Sequence, residues 1–385
     1  MNVELGVVSE LIQRLDAVIL WIEARKWAER NLALIAVALS AISLVTACPD
    51  YARFGPYPGV PWAAEAVSWK FQHPFARIPV SEFRNQAGAS GSGIIEQLEK
   101  RSYRIAIPAT ANVLGMSVTH AIAIQQVAAV AFLGMFVLLA RETLGDATSA
   151  LFAGVMAATS FIGQWGFNDF TNFDGSAYLI LLLLLWARWP VFVALLAVVG
   201  GFCDERVILA TPLVWLWHVA RGAPGDPSQS LVCEPGNGPI HYKPAAFRPD
   251  RVTWGLLVGL IGFSVLRLLL GYRWGQMVNT SGMGIGVVKS NLLWLPLALF
   301  AGIKGGMLLL LGAGSLLVVH RRMRYMALVG FACAPCMLAA LWVYDLTRSL
   351  AFGFPAYFLA MTVLRRHMSA IEIRRLTFVA ALGCA

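Results

Sequence analysis

Long apolar runs, each broken by a charge, a glycine or a proline, set the character of this chain from end to end. A helix that crosses a membrane needs about 20 predominantly apolar residues. Read by that length, the runs give about ten candidate spans. They fall at roughly 31–48, 105–118 joined to 119–140, 147–163, 174–187, 190–203, 207–220, 252–271, 292–318, 325–343 and 349–364. Several, notably between 174 and 220, are short, as broken or tilted helices packed against neighbours can be. Residues 1–30 pattern differently. Leu11, Leu15, Val18, Ile19 and Ile22 recur at helical spacing among polar residues, which predicts an amphipathic helix lying on the cytoplasmic surface. Its early acids and the lack of a basic leading segment set it apart from a signal peptide. The tail 376–385, after Arg374 and Arg375, is apolar, too short for a span, and expected at the membrane interface.

Basic residues collect at alternate connections between the runs. Arg25, Lys26 and Arg30 precede the first span; Arg141, Arg188, Arg221 with Arg248 and Arg251, "HRRMR" at 320–324 and "RRH" at 365–367 follow at every second crossing. The positive-inside rule puts all of them, and the N-terminus, on the cytoplasmic side. Two long connections remain. Residues 49–104 form an outer loop in which "WAAEAVSWKFQ" and "GIIEQLEKRSYR" are patterned as surface helices. Residues 222–250 are rich in Gly and Pro and read as an irregular cytoplasmic loop. The fold class expected is therefore all-α: one polytopic transmembrane bundle over 31–375.

Composition agrees and narrows the function classes. Charged residues make up 13 % of the chain, where a soluble domain carries about 25 %. The net charge of +9 sits in short clusters beside apolar runs. That is the pattern of membrane orientation and anionic-lipid contact, and it argues against nucleic acid. The cysteines are scattered, so no disulfide framework is implied. "CAPC" at 333–336 has metal spacing but no second ligand pair, and reads as buried packing. Cys48 and Cys203 share the outer side. The six histidines are dispersed without metal-ligand spacing. "SGMGIG" at 281–286 follows no strand, so it is no nucleotide loop. "NTS" at 279–281 matches a glycosylation sequon of little specificity.

The charges outside the positive-inside pattern carry the chemistry. Asp50, Arg104, Asp174, the run Asp204–Glu205–Arg206, Arg273, Asp345 and Arg348 all map to the outer face. An ionisable group at mid-membrane costs about 2.5–3.5 kcal/mol on insertion scales and usually faces a cavity with partners. Arginines match phosphate oxygens bidentately, so Arg104, Arg206, Arg273 and Arg348 suit an anionic lipid head group, with Asp174, Asp204 and Asp345 beside them. A carboxylate at the rim can take a proton from an attacking hydroxyl. Asp50 is the first candidate and Glu205 the second. Neighbouring pairs such as Glu205 with Arg206 and Asp345 with Arg348 also fit a purely structural role.

Asp50 after the first span in "CPDYARFGPY", the long outer loop behind it, and the stretch "FDGSAYLILLLLLWARWPVFVALLAVVGGFCDERVILATPLVWL" are similar to the layout of GT-C type membrane glycosyltransferases. That resemblance implies sugar transfer from a polyprenyl-phosphate carrier to an acceptor on the outer face. Asp50 would be the general base, and outer arginines would hold the lipid phosphate. Its partners would be a lipid-linked sugar donor and membrane lipids in a bacterial inner membrane. Use of a divalent cation stays open. A transporter or flippase of an anionic or lipid-linked substrate, and a non-catalytic subunit of a larger complex, are the alternatives.

Overall fold

The computed structural model describes residues 2–26, 29, 31–48, 61–79, 104–168, 173–221, 249–274, 284–343 and 345–384. Among these the chain is helical, without a strand. In order, the helices are α1 (Asn2–Ala24), α2 (Leu32–Ala47), α3 (Pro61–Gln72), α4 (Ala106–Val113), α5 (Val118–Leu144) and α6 (Ala147–Thr159). Then come α7 (Phe161–Asn168), α8 (Asp174–Trp186), α9 (Pro190–Cys203), α10 (Arg206–Leu209), α11 (Thr211–Arg221) and α12 (Arg251–Trp274). The last six are α13 (Ile285–Ile303), α14 (Gly306–Val319), α15 (Met323–Trp342), α16 (Leu346–Ala351), α17 (Pro355–His367) and α18 (Ala370–Leu382).

Helices α5, α12, α13 and α15 are each long and apolar enough to cross a membrane, and α6 with α7, bent by 51°, makes a fifth if counted as one span. Four shorter apolar helices, α2, α8, α9 and α14, accompany them. The outer surface is apolar in the same places: Val258, Ile261, Leu268, Leu293, Phe331 and Leu338 are all exposed. Large apolar side chains exposed in this number, on helices long enough to cross a bilayer, mark a membrane protein.

The middle of the bundle is aromatic. Phe132 and Phe136 of α5, Tyr178 of α8, Trp217 of α11, and Phe354 and Phe358 beside or in α17 are almost wholly buried against one another. Small residues set the closest helix pair. Gly255 and Gly259 of α12 lie against α9, where a Cβ at Gly259 would come 2.6 Å from that of Ala197 and 2.9 Å from the Ala194 carbonyl. This is a small-xxx-small seam, which lets helix backbones approach where lipid supplies no hydrophobic drive.

Several expected runs are subdivided. The joined runs 105–118 and 119–140 are α4 and α5, as expected in two pieces, and they meet at a turn in which Ser117 and His120 form a capping box for α5. The run 292–318 breaks at Lys304–Gly305, because Lys304 takes a left-handed φ of 44° and Gly305 is pressed against the Ala380 carbonyl. The tail 376–385 belongs largely to the 13-residue helix α18, which packs along α6 through Phe378 on Phe152. Helix α1 docks on the bundle: Ile19 is fully buried, while Val18 of the expected apolar stripe faces outward. Of the two loop helices, α3 matches the first, and "GIIEQLEKRSYR", apart from its last residue Arg104, lies outside the described residues.

The basic connections gather at one end of the bundle. Arg221 pairs with Glu142, and Arg365 donates to the carbonyls of Glu142 and Thr143 at the end of α5. Arg374 bridges Glu23 (2.6 Å) and Asp146 (2.8 Å), and Arg375 pairs with Asp16 (2.5 Å). Asp146 also caps α6 by accepting from the backbone of Ser149. These bonds from Arg374 and Ser149 hold the Asp146 carboxyl below the usual carboxylate range against the opposing effect of burial. The N-terminal helix and the tail are thus tied to the same end.

Candidate functional site

At the opposite end, four chain segments bring three arginines and three aspartates together. Helix α9 ends in a tight turn, where Gly200 lies against Val207 and leaves no room for a Cβ. Asp204 caps α9 in extended conformation, so its carboxylate turns back onto the start of α10. It accepts from the backbone N–H of Arg206 at 3.0 Å and from that guanidinium at 2.8 and 2.6 Å. Arg104, just before α4, reaches the same carboxylate at 2.8 Å, and Arg348 of α16 lies 3.6 Å away. Arg348 also binds Asp174, in the first turn of α8, at 2.5 Å. Asp345 sits 3.3 Å from Arg348 and 3.8 Å from Arg206. The Arg206 guanidinium lies over the ring of Phe352, 4.7 Å from its centroid.

Burial makes the set asymmetric. Asp174 and Asp204 are fully buried, and the three arginines nearly so. The Asp345 side chain, by contrast, is 46 % exposed. Among the described residues, three guanidiniums therefore face two carboxylates inside the site, and Asp345 stands at the mouth. Burying ion pairs costs desolvation that their attraction offsets only with good geometry, so a network of this size marks a place where charge is needed. Among the described residues, Asp174 Oδ2, Arg348 Nε, Ser176 Oγ and Tyr178 Oη are buried without a hydrogen-bond partner. Buried polar atoms are normally satisfied, and these four lie along or against α8.

A groove of about 450 Å³ runs down the bundle from this end, between α5 and α8. Met116, His120, Ile124, Val127, Leu179 and Ile180 line it, and Ser176 stands in its wall. Its lining is almost entirely apolar. Beside it, α3 folds onto α4, with Val67 and Phe71 packed on Ala111 and Phe173. Lys70 of α3 is buried there and donates to the Ala76 carbonyl at 2.8 Å. Burial, with help from Arg267, pulls the Lys70 ammonium down to about 7.

Of the residues expected here, Arg104, Asp174, Asp204, Arg206, Asp345 and Arg348 converge. Glu205 does not: it is exposed, and Arg206 pairs with Asp204 instead, because the reversed turn aims Asp204 inward. Arg273 is also exposed, in the last turn of α12 and apart from the network. Asp50 lies outside the described residues. Cys48 and Cys203 are both free thiols, the first exposed and the second buried. Cys336 packs in the core with Cys333 against it. Among the described residues no three His, Cys, Asp or Glu side chains gather as a metal site. In the network each acid is instead matched by a guanidinium.

Two clusters escaped the sequence reading. Lys304, at the break between α13 and α14, donates to the Thr159 carbonyl at 2.7 Å and the Cys384 carbonyl at 3.3 Å. It thus holds the ends of α6 and α18 together. A lysine inside an apolar run was the available signal. His320 and His367, 47 positions apart, stack with ring centroids 4.1 Å apart. No sequence spacing shows that pairing.

Comparisons with known protein families, with curated proteins and with solved structures found no match.

Proposed function

We propose that this chain is an integral membrane glycosyltransferase, moving a sugar from a polyprenyl-phosphate carrier to an acceptor on the outer face. It would work as a bundle of about ten spans with a cytoplasmic N-terminus in a bacterial inner membrane. One observation carries the reading: among the described residues, a buried network of three guanidiniums and two carboxylates stands beside an apolar groove. A lipid phosphate needs the first and its hydrocarbon chain needs the second. Arg206 and Arg348 would take the phosphate, with Asp345 displaced from the mouth as the anion replaces it. The acceptor hydroxyl needs a base, and Asp50 fills that role in the GT-C layout.

The test is sugar transfer by purified protein from a short-chain polyprenyl-phosphate sugar. Arg348→Gln should lose at least about a hundredfold in kcat/KM, the worth of two charge-assisted hydrogen bonds. Asp50→Ala should lose kcat with KM little changed. Transfer by both variants at the wild-type rate would sink the reading.

The transporter reading has its own support. The break between α6 and α7, the break at Lys304–Gly305 and the end of α18 meet at one point. Helices α6, α14 and α18 have 13 or 14 residues each, so the point lies about 20 Å from the basic end. Broken helices meeting deep in a bundle around a charged group are a feature of secondary transporters. Lys304→Met separates the two: it would abolish substrate movement into proteoliposomes in a transporter and leave transferase turnover on exposed donor within about threefold.

A further inference from the structure

Helices α5 and α8 both start at the network end, and the groove of about 450 Å³ lies between them. That volume is in the range of pockets that take a small ligand or a lipid chain. Its polar groups sit at one end. His120 is in the first turn of α5 and Ser176 in the first turn of α8. Past them the wall on α5 is apolar from Ala123 to Ala131, about 12 Å of helix.

Ser176, Leu179 and Ile180 recur at helical spacing, so Ser176 shares the groove face of α8. Its hydroxyl is buried without a hydrogen-bond partner. Ser40, Thr143, Ser264 and Thr377, on other apolar helices, each donate to the carbonyl one turn back. Ser176 makes no such bond, although buried polar atoms are normally satisfied. A water is a poor answer, because it needs several polar partners and the lining is almost entirely apolar. His120 supplies a second group. The backbone N–H of Ser117 donates to its Nδ1 at 3.0 Å. A ring nitrogen that accepts from an N–H carries no proton, so the neutral imidazole holds its proton on Nε2. The polar end of the groove therefore offers two neutral donors, an O–H and an Nε2–H, with apolar wall beyond them.

We propose that the groove binds an acyl chain of a glycerophospholipid, its ester carbonyl held by Ser176 and His120. In such a lipid the ester carbonyl is the neutral acceptor that adjoins the hydrocarbon, which is the order of groups along the groove. A phosphate is anionic and matches guanidinium donors better. An isoprenoid chain has no acceptor below its phosphate and would leave the Ser176 hydroxyl unpaired, which carries a penalty. In the transferase reading this lipid is the resting occupant that the donor's chain displaces; the site itself does not depend on that reading.

The experiment titrates dioleoyl phosphatidylethanolamine, and separately its dialkyl ether counterpart, into delipidated full-length protein in detergent, read by native mass spectrometry. The ether lacks only the carbonyls. Wild type should bind the ester about tenfold more tightly, the equivalent of one hydrogen bond. Ser176→Ala should bind both lipids at the level of the ether. Its melting temperature should hold or rise, because no bond within the protein is lost. Ile124→Trp, which fills the groove, should weaken both lipids. If wild type binds ester and ether alike, or neither, or if Ser176→Ala keeps the ester preference, the proposal falls. It falls too if Ile124→Trp binds the ester as wild type does, since the carbonyl is then read outside the groove. No sugar transfer is measured, so failure here and failure of the transferase reading are separate results.

Discussion

At the scale of single residues, the network divides into members that hold the fold and one that stands at its mouth. Asp204 receives three guanidiniums while fully buried. Removing one partner from a buried ionic set costs about 3–5 kcal/mol, since the others are left uncompensated. Asp204→Ala should therefore fall out of the folded membrane fraction, measured by detergent-extracted monodisperse yield. Asp345→Ala touches a half-exposed carboxylate, and a surface ion pair contributes about 0–1 kcal/mol. Its yield should match wild type while affinity for anionic substrate changes. Lys70 gives a pH test. Its folded pKa of about 7 lies below its ordinary 10.5, so the unfolded chain binds more protons between those values and stability rises with pH across them. Amide exchange in α3 should be slower at pH 9 than at pH 6.5, after correction for the intrinsic rate. The six converging charges were legible because an ion among apolar residues stands out in sequence. Which neighbour turned inward was not, since Asp204 and Glu205 differ only through the turn behind Gly200.

At the scale of elements, long apolar helices were easy to read and their breaks were not. An apolar run looks alike whether its helix is continuous or bent, and the bend at Lys304 depends on carbonyls of Thr159 and Cys384, 145 and 80 positions away. The seam between α9 and α12 shows the same limit. Glycines at 255 and 259 are visible in the sequence, but their partners Pro190, Ala194 and Ala197 are not. Gly259→Leu would place a large side chain where a Cβ already meets backbone at 2.9 Å. Overpacking costs about 1–3 kcal/mol where the neighbours can shift; against backbone the upper end applies. The variant should lower the thermal midpoint, while Gly314→Leu, on α14 with open space around it, should leave it near wild type.

At the scale of the whole molecule, the sorting of charge to two ends is the feature that sequence and structure share. Basic residues and their acidic partners hold α1, α5, α6, α17 and α18 at one end, and the arginine–aspartate network closes the other. The positive-inside rule turns this polarity into an orientation, and the native cysteines report on it. Cys48, which follows α2 at the network end, is exposed. Cys203, Cys336 and Cys384 are buried. Cys233 belongs to the long connection at 222–250, which the expected orientation would put in the cytoplasm. Thiol labelling requires access to the thiolate, so a membrane-impermeant maleimide on intact spheroplasts should modify Cys48 alone. Permeabilised cells should add Cys233. Labelling lost in Cys48→Ser before permeabilisation, and regained at Cys233 after it, places the network outside and the His320–His367 cluster inside. The reverse order would invert the molecule, and with it the side on which a lipid phosphate could reach Arg206 and Arg348.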